Sequence, residues 1–191
     1  MSVLLQDHIR KLLKTDIDGM PEIIKFFRPV TASRKQNLLT EGKICNENYF
    51  VEKGCLRLYF VNEKGIEQTV QFALENWWLS DYSSFNSRQP SGFAIQAVEQ
   101  SDLLCINAAD QEIMLDKYPA MEKYFRLVHQ RAHAAYQFRI KLLYDLSREE
   151  LYHKFNDRYP EFVQRIPQYL LASFLGFTPE YLSEIRRKKL S

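Results

Sequence analysis

QYLLASFLGFTPEYLSEIRRKKLS, residues 168–191, has the pattern of two short helices joined by a tight turn. Ala172 is the small residue that a closely crossing second helix requires, and Gly176 tolerates the positive φ of the turn. Thr178 supplies a hydroxyl cap, and Pro179 suits the first turn of the next helix. The pattern predicts a helix-turn-helix unit whose helices are joined by apolar residues, namely Leu171, Leu175, Phe177, Leu182 and Ile185.

The second predicted helix ends in the densest basic run of the chain, Arg186-Arg187-Lys188-Lys189. Such a run is typical of a solvated helix end, where cations favour the negative end of the helix dipole. Exposed cations are also what contacts to nucleic-acid phosphates require. We therefore interpret the unit as DNA-binding, although the net charge of +2 does not by itself indicate this partner. An ordinary helical hairpin at the end of a domain is the alternative.

The composition is that of a folded protein, with 46% hydrophobic and 14% aromatic residues in a chain of 191. Its apolar runs are shorter than a membrane span, and the N-terminus lacks the pattern of a signal peptide. We therefore expect a cytoplasmic protein without a membrane partner. Cys45, Cys55 and Cys105 are odd in number and form no CxxC pair. This spacing argues against a disulfide framework and against a zinc or iron–sulfur centre bound by cysteines.

The hydrophobic period changes twice upstream of residue 168. Residues 2–28 have a helical pattern, whereas residues 28–107 contain short runs rich in Val, Ile, Phe and Tyr. Gly42, Gly54 and Gly65 separate these runs at intervals of about a dozen residues, which is typical of a β-sandwich or barrel. The helical period returns over residues 108–146. Residues 148–166 are predicted to add one or two helices, interrupted at Pro160.

A narrow apolar seam with alternating spacings of four and three residues follows the predicted helix over residues 108–146. Arg139 is the residue that breaks it. This spacing predicts a two-stranded packing and hence a homodimer. An amphipathic helix packed on its own β-domain is the alternative. The predicted dimer residues are Met121, Phe125, Val128, Ala132, Ala135 and Leu142.

The order of a β-rich region, a long helix and a terminal helix-turn-helix resembles that of the Crp/Fnr (cyclic-AMP receptor/fumarate–nitrate regulator) family. The stretches LLTEG (38–42), YFVEKGCLRLY (49–59) and ASFLGFTPEYLS (172–183) carry the resemblance. The chain is similar to the short branch common in Bacteroidetes-type bacteria. The resemblance implies an α+β fold in three parts. These are a double-stranded β-helix sensor domain with N-terminal helices (a cyclic-nucleotide-binding-like jelly roll, 1–107), a dimerisation helix (108–146) and a helix-turn-helix DNA-binding domain (147–191).

Members of that family that bind cyclic nucleotides present a Gly-Glu pair at a short helix and an Arg-Ser/Thr-Ala segment before the next strand. Alignment on Ala94–Ala97 places Ser80-Asp81 and Ser91-Gly92-Phe93 at these positions. The arginine that holds the phosphate is therefore missing, although Arg88 lies nearby, and we predict that cyclic AMP is not the effector. A different effector pocket is predicted from polar and aromatic residues, whose alternative role is core filling. They are Trp78, Ser80, Asp81, Tyr82, Arg88, Ser91 and Phe93.

Other sensor and enzyme classes fit the sequence poorly. The clustered N-terminal cysteines of Fnr-like oxygen sensors are absent. His129 and His133 have a spacing that can hold a metal, but no acidic partner accompanies them, so we predict neither metal nor cofactor. A cupin-type enzyme would need histidines on its strands, whereas His8, His129, His133 and His153 lie outside the β-rich segment. With no nucleophile–base pair or phosphate loop, we predict that the chain is not an enzyme.

These observations predict a dimeric, sequence-specific transcription regulator that binds a palindromic operator and responds to an unknown small molecule. RNA polymerase would be a partner if the protein is an activator. The helix Thr178–Arg187 is expected in the major groove, where Glu184 can accept from cytosine and Arg187 can reach guanine or phosphate. The alternative is a protein-interaction module that does not bind DNA. The predicted DNA contacts are Gln168, Thr178, Pro179, Tyr181, Ser183, Glu184, Arg186, Arg187, Lys188 and Lys189.

Overall fold

The computed structural model describes residues 3–188, which form two compact units. Unit 1 comprises residues 3–60 and 71–130, and unit 2 comprises residues 61–70 and 131–188. The helices are α1 (Val3–Leu13), α2 (Met20–Ile24), α3 (Tyr82–Ser87), α4 (Ala108–Lys117), α5 (Pro119–Asp145), α6 (Arg148–Arg158), α7 (Pro160–Arg165), α8 (Gln168–Leu175) and α9 (Pro179–Lys188). The strands are β1 (Arg28–Ala32), β2 (Asn37–Leu39), β3 (Glu47–Lys53), β4 (Leu56–Val61), β5 (Glu67–Ala73), β6 (Trp78–Leu79), β7 (Ala94–Ala97) and β8 (Ser101–Asn107).

The strands form two four-stranded sheets, in the orders β1-β8-β3-β6 and β2-β7-β4-β5. Most neighbours in a sheet are distant in sequence, which is the crossover arrangement of a jelly roll. For example, β3 pairs antiparallel with β8, and Tyr49 lies opposite Cys105. The predicted mixed helix-and-sheet fold, with an N-terminal jelly roll followed by a long helix, is confirmed.

A hydrophobic core joins the N-terminal helices to the first sheet of unit 1. Tyr124 of α5 is buried in it, and its hydroxyl accepts a hydrogen bond from Trp78 Nε1 at 2.8 Å. The same oxygen lies 2.7 Å from His8 Nδ1. Burial raises the pKa of Tyr124, so the hydroxyl stays protonated and available to both partners. The buried side chains of this core include Leu5, Ile9, Ile23, Phe50, Leu104, Ile106, Met114, Met121 and Phe125.

The helix predicted over residues 108–146 is interrupted at Tyr118. The φ and ψ of Tyr118 are −128° and 83°, outside the helical region, and α5 starts at the next residue, Pro119. Proline disfavours a helical conformation at the residue before it and lacks the N–H that a continuous helix would use. The structure therefore has two helices, α4 and the 27-residue α5, where the sequence predicted one.

Unit 2 consists of the second half of α5, helices α6 to α9 and the tip of the β4–β5 hairpin, residues 61–70. The predicted interruption at Pro160 is found, because α6 ends at Arg158 and α7 begins at Pro160. A capping box begins α6: Ser147 Oγ accepts from Glu150 N, and Glu150 Oε2 accepts from Ser147 N at 2.9 Å. These hydrogen bonds lower the pKa of Glu150.

Candidate functional site

The turn between α8 and α9 has the local structure that the sequence predicts. Gly176 ends α8 with a φ of 76°, and Phe177 N donates to Ala172 O at 2.8 Å. Thr178 Oγ1 accepts from Tyr181 N at 3.2 Å and so caps the start of α9. Ala172 is fully buried, as expected of a small residue at a helix crossing.

One face of the α8–α9 pair is apolar and buried, and the opposite face of α9 is polar and exposed. Leu171, Leu175, Leu182 and Ile185 are buried between the helices. Tyr181 and Gln168 are half-buried. Lys189 lies outside the described residues. The remaining predicted DNA contacts are all exposed, namely Thr178, Pro179, Ser183, Glu184, Arg186, Arg187 and Lys188.

Polar contacts connect several of these exposed side chains. Gln168 Nε2 donates to Ser183 Oγ at 2.6 Å, so the start of α8 is joined to the middle of α9. Arg186 Nη1 lies 3.5 Å from Gln168 Oε1. Lys188 and Glu184 form an ion pair of 3.3 Å one turn apart. This pair brings a cation to Glu184, the one carboxylate among the predicted base contacts.

The second candidate region is the N-terminus of α3, where the buried Asp81 is the capping residue. Asp81 Oδ1 accepts from Ser83 N at 3.1 Å and from Ser84 N at 3.3 Å. Asp81 Oδ2 accepts from the Ser91 hydroxyl at 2.6 Å. A helix N-terminus favours an anion, and here the chain's own carboxylate supplies it. The Asp81 carboxylate thereby joins the first-turn amides of α3 to the Ser91 hydroxyl.

Two of the other predicted pocket residues, Trp78 and Arg88, have their contacts elsewhere. Trp78 is core filling, with its ring centroid 5.2 Å from that of Phe50. Arg88 has a left-handed φ of 59°, lies at the opposite end of α3 and pairs with Glu112 at 3.5 Å. Arg88 therefore lies at the other end of α3 from the position that the resemblance assigns to a phosphate.

Ser80, Tyr82 and Phe93 each have partners within unit 1. Ser80 Oγ donates to Glu47 O at 3.1 Å. The Tyr82 ring packs edge-on against His129, with centroids 4.6 Å apart, and the Phe93 ring packs edge-on against Phe60. These contacts account for the three side chains as parts of the folded domain.

The predicted dimer seam on α5 divides into two parts. Met121 and Phe125 are buried in the core of their own unit, which is the packing that the sequence analysis left open as the alternative. Val128 is half-buried and packs against the same core. In the second part of the seam, Ala132 and Leu142 are half-buried and Ala135 is exposed. Large apolar side chains are exposed nearby, namely Tyr136, Phe138, Ile140, Leu143 and Tyr144. Only the second part of the seam is accessible to a partner.

Comparison with known proteins identifies the fold of this chain. Residues 29–118 match the family model described as the cyclic nucleotide-binding domain. A putative Crp/Fnr regulator from Eubacterium rectale superimposes with a TM-score of 0.71 at 14% identity, over 95% of this chain and 87% of that one. The chain carries a cyclic nucleotide-binding domain and has the Crp/Fnr fold.

Two further solved structures have the same Crp/Fnr fold. The c-di-GMP responsive regulator CLP of Xanthomonas campestris has a TM-score of 0.70 at 10% identity, over 92% of each chain. The catabolite activator protein of Thermus thermophilus has a TM-score of 0.58 at 16% identity, over 95% of this chain and 85% of that one. No curated protein sequence matches the chain. At the level of the fold, the resemblance to Crp/Fnr proteins noted in the sequence is confirmed.

Two further observations concern the helices of this Crp/Fnr-fold protein. Burial lowers the pKa of His129, and across the described residues no three His, Cys, Asp or Glu side chains lie close enough to hold a metal ion. Every helix within residues 3–188 is too short or too polar to cross a membrane.

Proposed function

We propose that the protein is a dimeric, sequence-specific DNA-binding transcription regulator. In this proposal α8 and α9 form a helix-turn-helix, and α9 lies in the major groove. The observation that carries it is the division of α9 into a buried apolar side, with Leu182 and Ile185, and an exposed side that ends in basic residues. Because any surface helix has an exposed polar face, it is the basic last turn of α9, with Arg186, Arg187 and Lys188, that favours nucleic acid.

Base contacts are assigned to the exposed residues in the middle and last turns of α9. Ser183 can donate to or accept from a base edge, and Arg187 can donate to guanine O6 and N7. Glu184, paired with Lys188, is suited to accept from a cytosine amino group. Phosphate contacts are assigned to Arg186, Lys188 and Gln168, with Lys189 beyond the described residues.

The dimer is assigned to the accessible part of the α5 seam, with Ala132, Ala135 and Leu142. A two-fold dimer places two copies of α9 on one side of a duplex, so the operator is a palindrome with half-sites about one helical turn apart.

The β-domain is assigned a small-molecule effector other than cyclic AMP. The carboxylate of Asp81 supports the exclusion of cyclic AMP, because it would repel the phosphate of that nucleotide at the N-terminus of α3.

The proposal is tested by selection of binding sites from random duplex DNA with the full chain. We expect an enriched palindrome. Arg187→Ala should lower the affinity for it by about 1–3 kcal/mol if Arg187 contacts a base, and lower the salt slope by about one if it contacts phosphate. Lys25→Ala removes the same charge from an exposed position of unit 1 and is the matched control, with no expected effect.

Two outcomes would contradict the proposal. Failure to enrich any sequence, at low salt and with metabolite extract added, would favour a protein-interaction module that does not bind DNA. Equal losses from Arg187→Ala and Lys25→Ala would indicate nonspecific attraction of DNA to the whole protein.

A further inference from the structure

Arg139, the residue that breaks the apolar seam of α5, joins three elements of unit 2. Its Nη1 donates to Val70 O of the β4–β5 hairpin at 2.6 Å, and its Nη2 donates to Phe174 O of α8 at 2.5 Å. The guanidinium also lies over the Phe174 ring, 3.9 Å from its centroid. A guanidinium can make all three contacts at once because it is planar and carries several fixed donors.

Ser173, the residue before Phe174, makes a second connection between α8 and the same hairpin. Its hydroxyl accepts from Thr69 N at 2.9 Å and donates to Glu67 O at 2.9 Å. β5 is the edge strand of its sheet, and backbone groups on the open side of an edge strand need partners from outside the sheet. Ser173 supplies both, and α8 covers this part of the sheet edge.

We call the contacts of Arg139 and Ser173 with residues 67–70 and Phe174 the hairpin bracket. The bracket leaves the exposed face of α9 uncovered, since Thr178, Ser183 and Arg187 remain exposed. The bracket therefore holds the α8–α9 pair in position and leaves the exposed face of α9 accessible. It also joins that pair to the part of α5 that carries the accessible seam residues Ala132, Ala135 and Leu142.

We propose that Arg139 and Ser173 are positioning residues for DNA binding, an inference that rests on the function proposed above. By holding α8 on α5 and the hairpin, the bracket sets the separation of the two recognition helices in a dimer. Engagement of a second half-site is strongest when the built-in separation matches that of the operator. An α8–α9 pair without the bracket contacts would still bind one half-site. The dimer would lose much of the additional affinity that the second half-site provides.

The experiment compares Ser173→Ala and Arg139→Lys with wild type and with Thr69→Val. Ser173→Ala removes the acceptor of the Thr69 amide, and Arg139→Lys replaces a fork by a point charge that cannot make the same set of contacts. Thr69→Val is the matched control. The Thr69 hydroxyl is buried without a hydrogen-bond partner among the described residues, and valine keeps the backbone N–H that Ser173 accepts.

Three quantities are measured on the whole chain described here: hydrogen exchange of the Thr69 amide, affinity for the selected palindrome and affinity for an isolated half-site. In Ser173→Ala we expect exchange to be at least about tenfold faster, because the amide loses its partner. In both bracket variants we expect the affinity for the palindrome to fall about tenfold, with less than about a twofold change for the half-site. Thr69→Val should match wild type in all three measurements.

The possible failures are distinguishable. Unchanged Thr69 exchange in Ser173→Ala would mean that the bracket does not form in solution. Faster exchange with equal losses on palindrome and half-site, or with unchanged or increased affinity for the palindrome, would overturn the positioning role. A wild-type protein that enriches no palindrome and binds no half-site would refute the proposed function and the positioning role together. Hydrogen exchange of the Thr69 amide would still report whether the bracket exists.

Discussion

The Ser91 hydroxyl donates a hydrogen bond of 2.6 Å to Asp81 Oδ2, and this bond joins the two segments that the Crp/Fnr resemblance assigns to phosphate binding. The other oxygen of Asp81 caps α3 through Ser83 N and Ser84 N. An internal carboxylate therefore occupies the helix terminus that would otherwise favour an external anion. The chain keeps the fold of a cyclic nucleotide-binding domain, while its own side chains satisfy the position that the resemblance assigns to a phosphate.

We predict that cyclic AMP and cyclic GMP do not bind this protein. A ligand present at about 100 times its Kd would add about 2.7 kcal/mol to the free energy of unfolding and visibly raise Tm. At a concentration of about 1 mM, each nucleotide should leave Tm unchanged in a thermal scan and give no saturable heat in calorimetry. A saturable rise in Tm with either nucleotide would show that Asp81 and Ser91 open to admit a phosphate.

A second prediction concerns the accessible part of the α5 seam. In a two-fold dimer the same seam residues of both copies meet, so Ala135→Glu would place two like charges close together. We expect the dimer dissociation constant to rise at least about tenfold, which corresponds to about 1.4 kcal/mol. Ala134→Glu is the matched control, since Ala134 is exposed beside the seam. Sedimentation equilibrium measures the dimer dissociation constant of both variants. Equal constants for Ala135→Glu and Ala134→Glu would place the dimer interface elsewhere.

The features that the sequence predicted correctly are those with a local cause. The positive φ of Gly176, the cap at Thr178 and the break at Pro160 each depend on residues within one or two turns. Pro119 carried an equally local signal for the break at Tyr118, which the prediction of one continuous helix overlooked. Asp81 before a short polar helix was likewise a recognisable capping signal.

The features that the sequence did not predict depend on contacts between distant segments. The apolar spacing on α5 is the same for a residue that packs in the core of its own chain and for one that packs against a second chain. Met121 and Phe125 pack in the core of their own chain. An aromatic residue such as Trp78 indicates burial but not what buries it. The bracket joins Arg139 to Val70 and Phe174, and no periodicity connects those positions. Sequence patterns gave the elements, and side-chain partners required the three-dimensional arrangement.

A third prediction concerns the buried hydroxyl of Tyr124. Tyr124→Phe removes the acceptor of Trp78 Nε1 and the partner of His8 Nδ1 inside the core of unit 1. A buried donor left without an acceptor lowers the free energy of unfolding by about 1–3 kcal/mol. Urea denaturation followed by tryptophan fluorescence measures the change. Tyr144→Phe, at a side chain that is 90% exposed, should leave the stability unchanged. A loss below about 0.5 kcal/mol for Tyr124→Phe would mean that water or another group replaces the hydroxyl.

The last prediction compares two glycines that have the same kind of backbone conformation in different surroundings. Gly54 has a φ of 101°, and a Cβ placed there would lie 2.7 Å from the Cα of Ser101, a backbone atom that cannot move aside cheaply. Gly65 has a φ of 74°, but its Cβ would meet no atom within 4 Å. Gly65→Ala should therefore lower the free energy of unfolding by about 1 kcal/mol, through backbone strain alone. Gly54→Ala adds overpacking to that strain and should lower it by about 2–5 kcal/mol. Both variants are measured by urea denaturation at one protein concentration, because dimerisation makes the apparent stability depend on concentration. Equal losses would show that the β3–β4 turn relaxes away from Ser101, and that only the positive φ keeps glycine at residue 54.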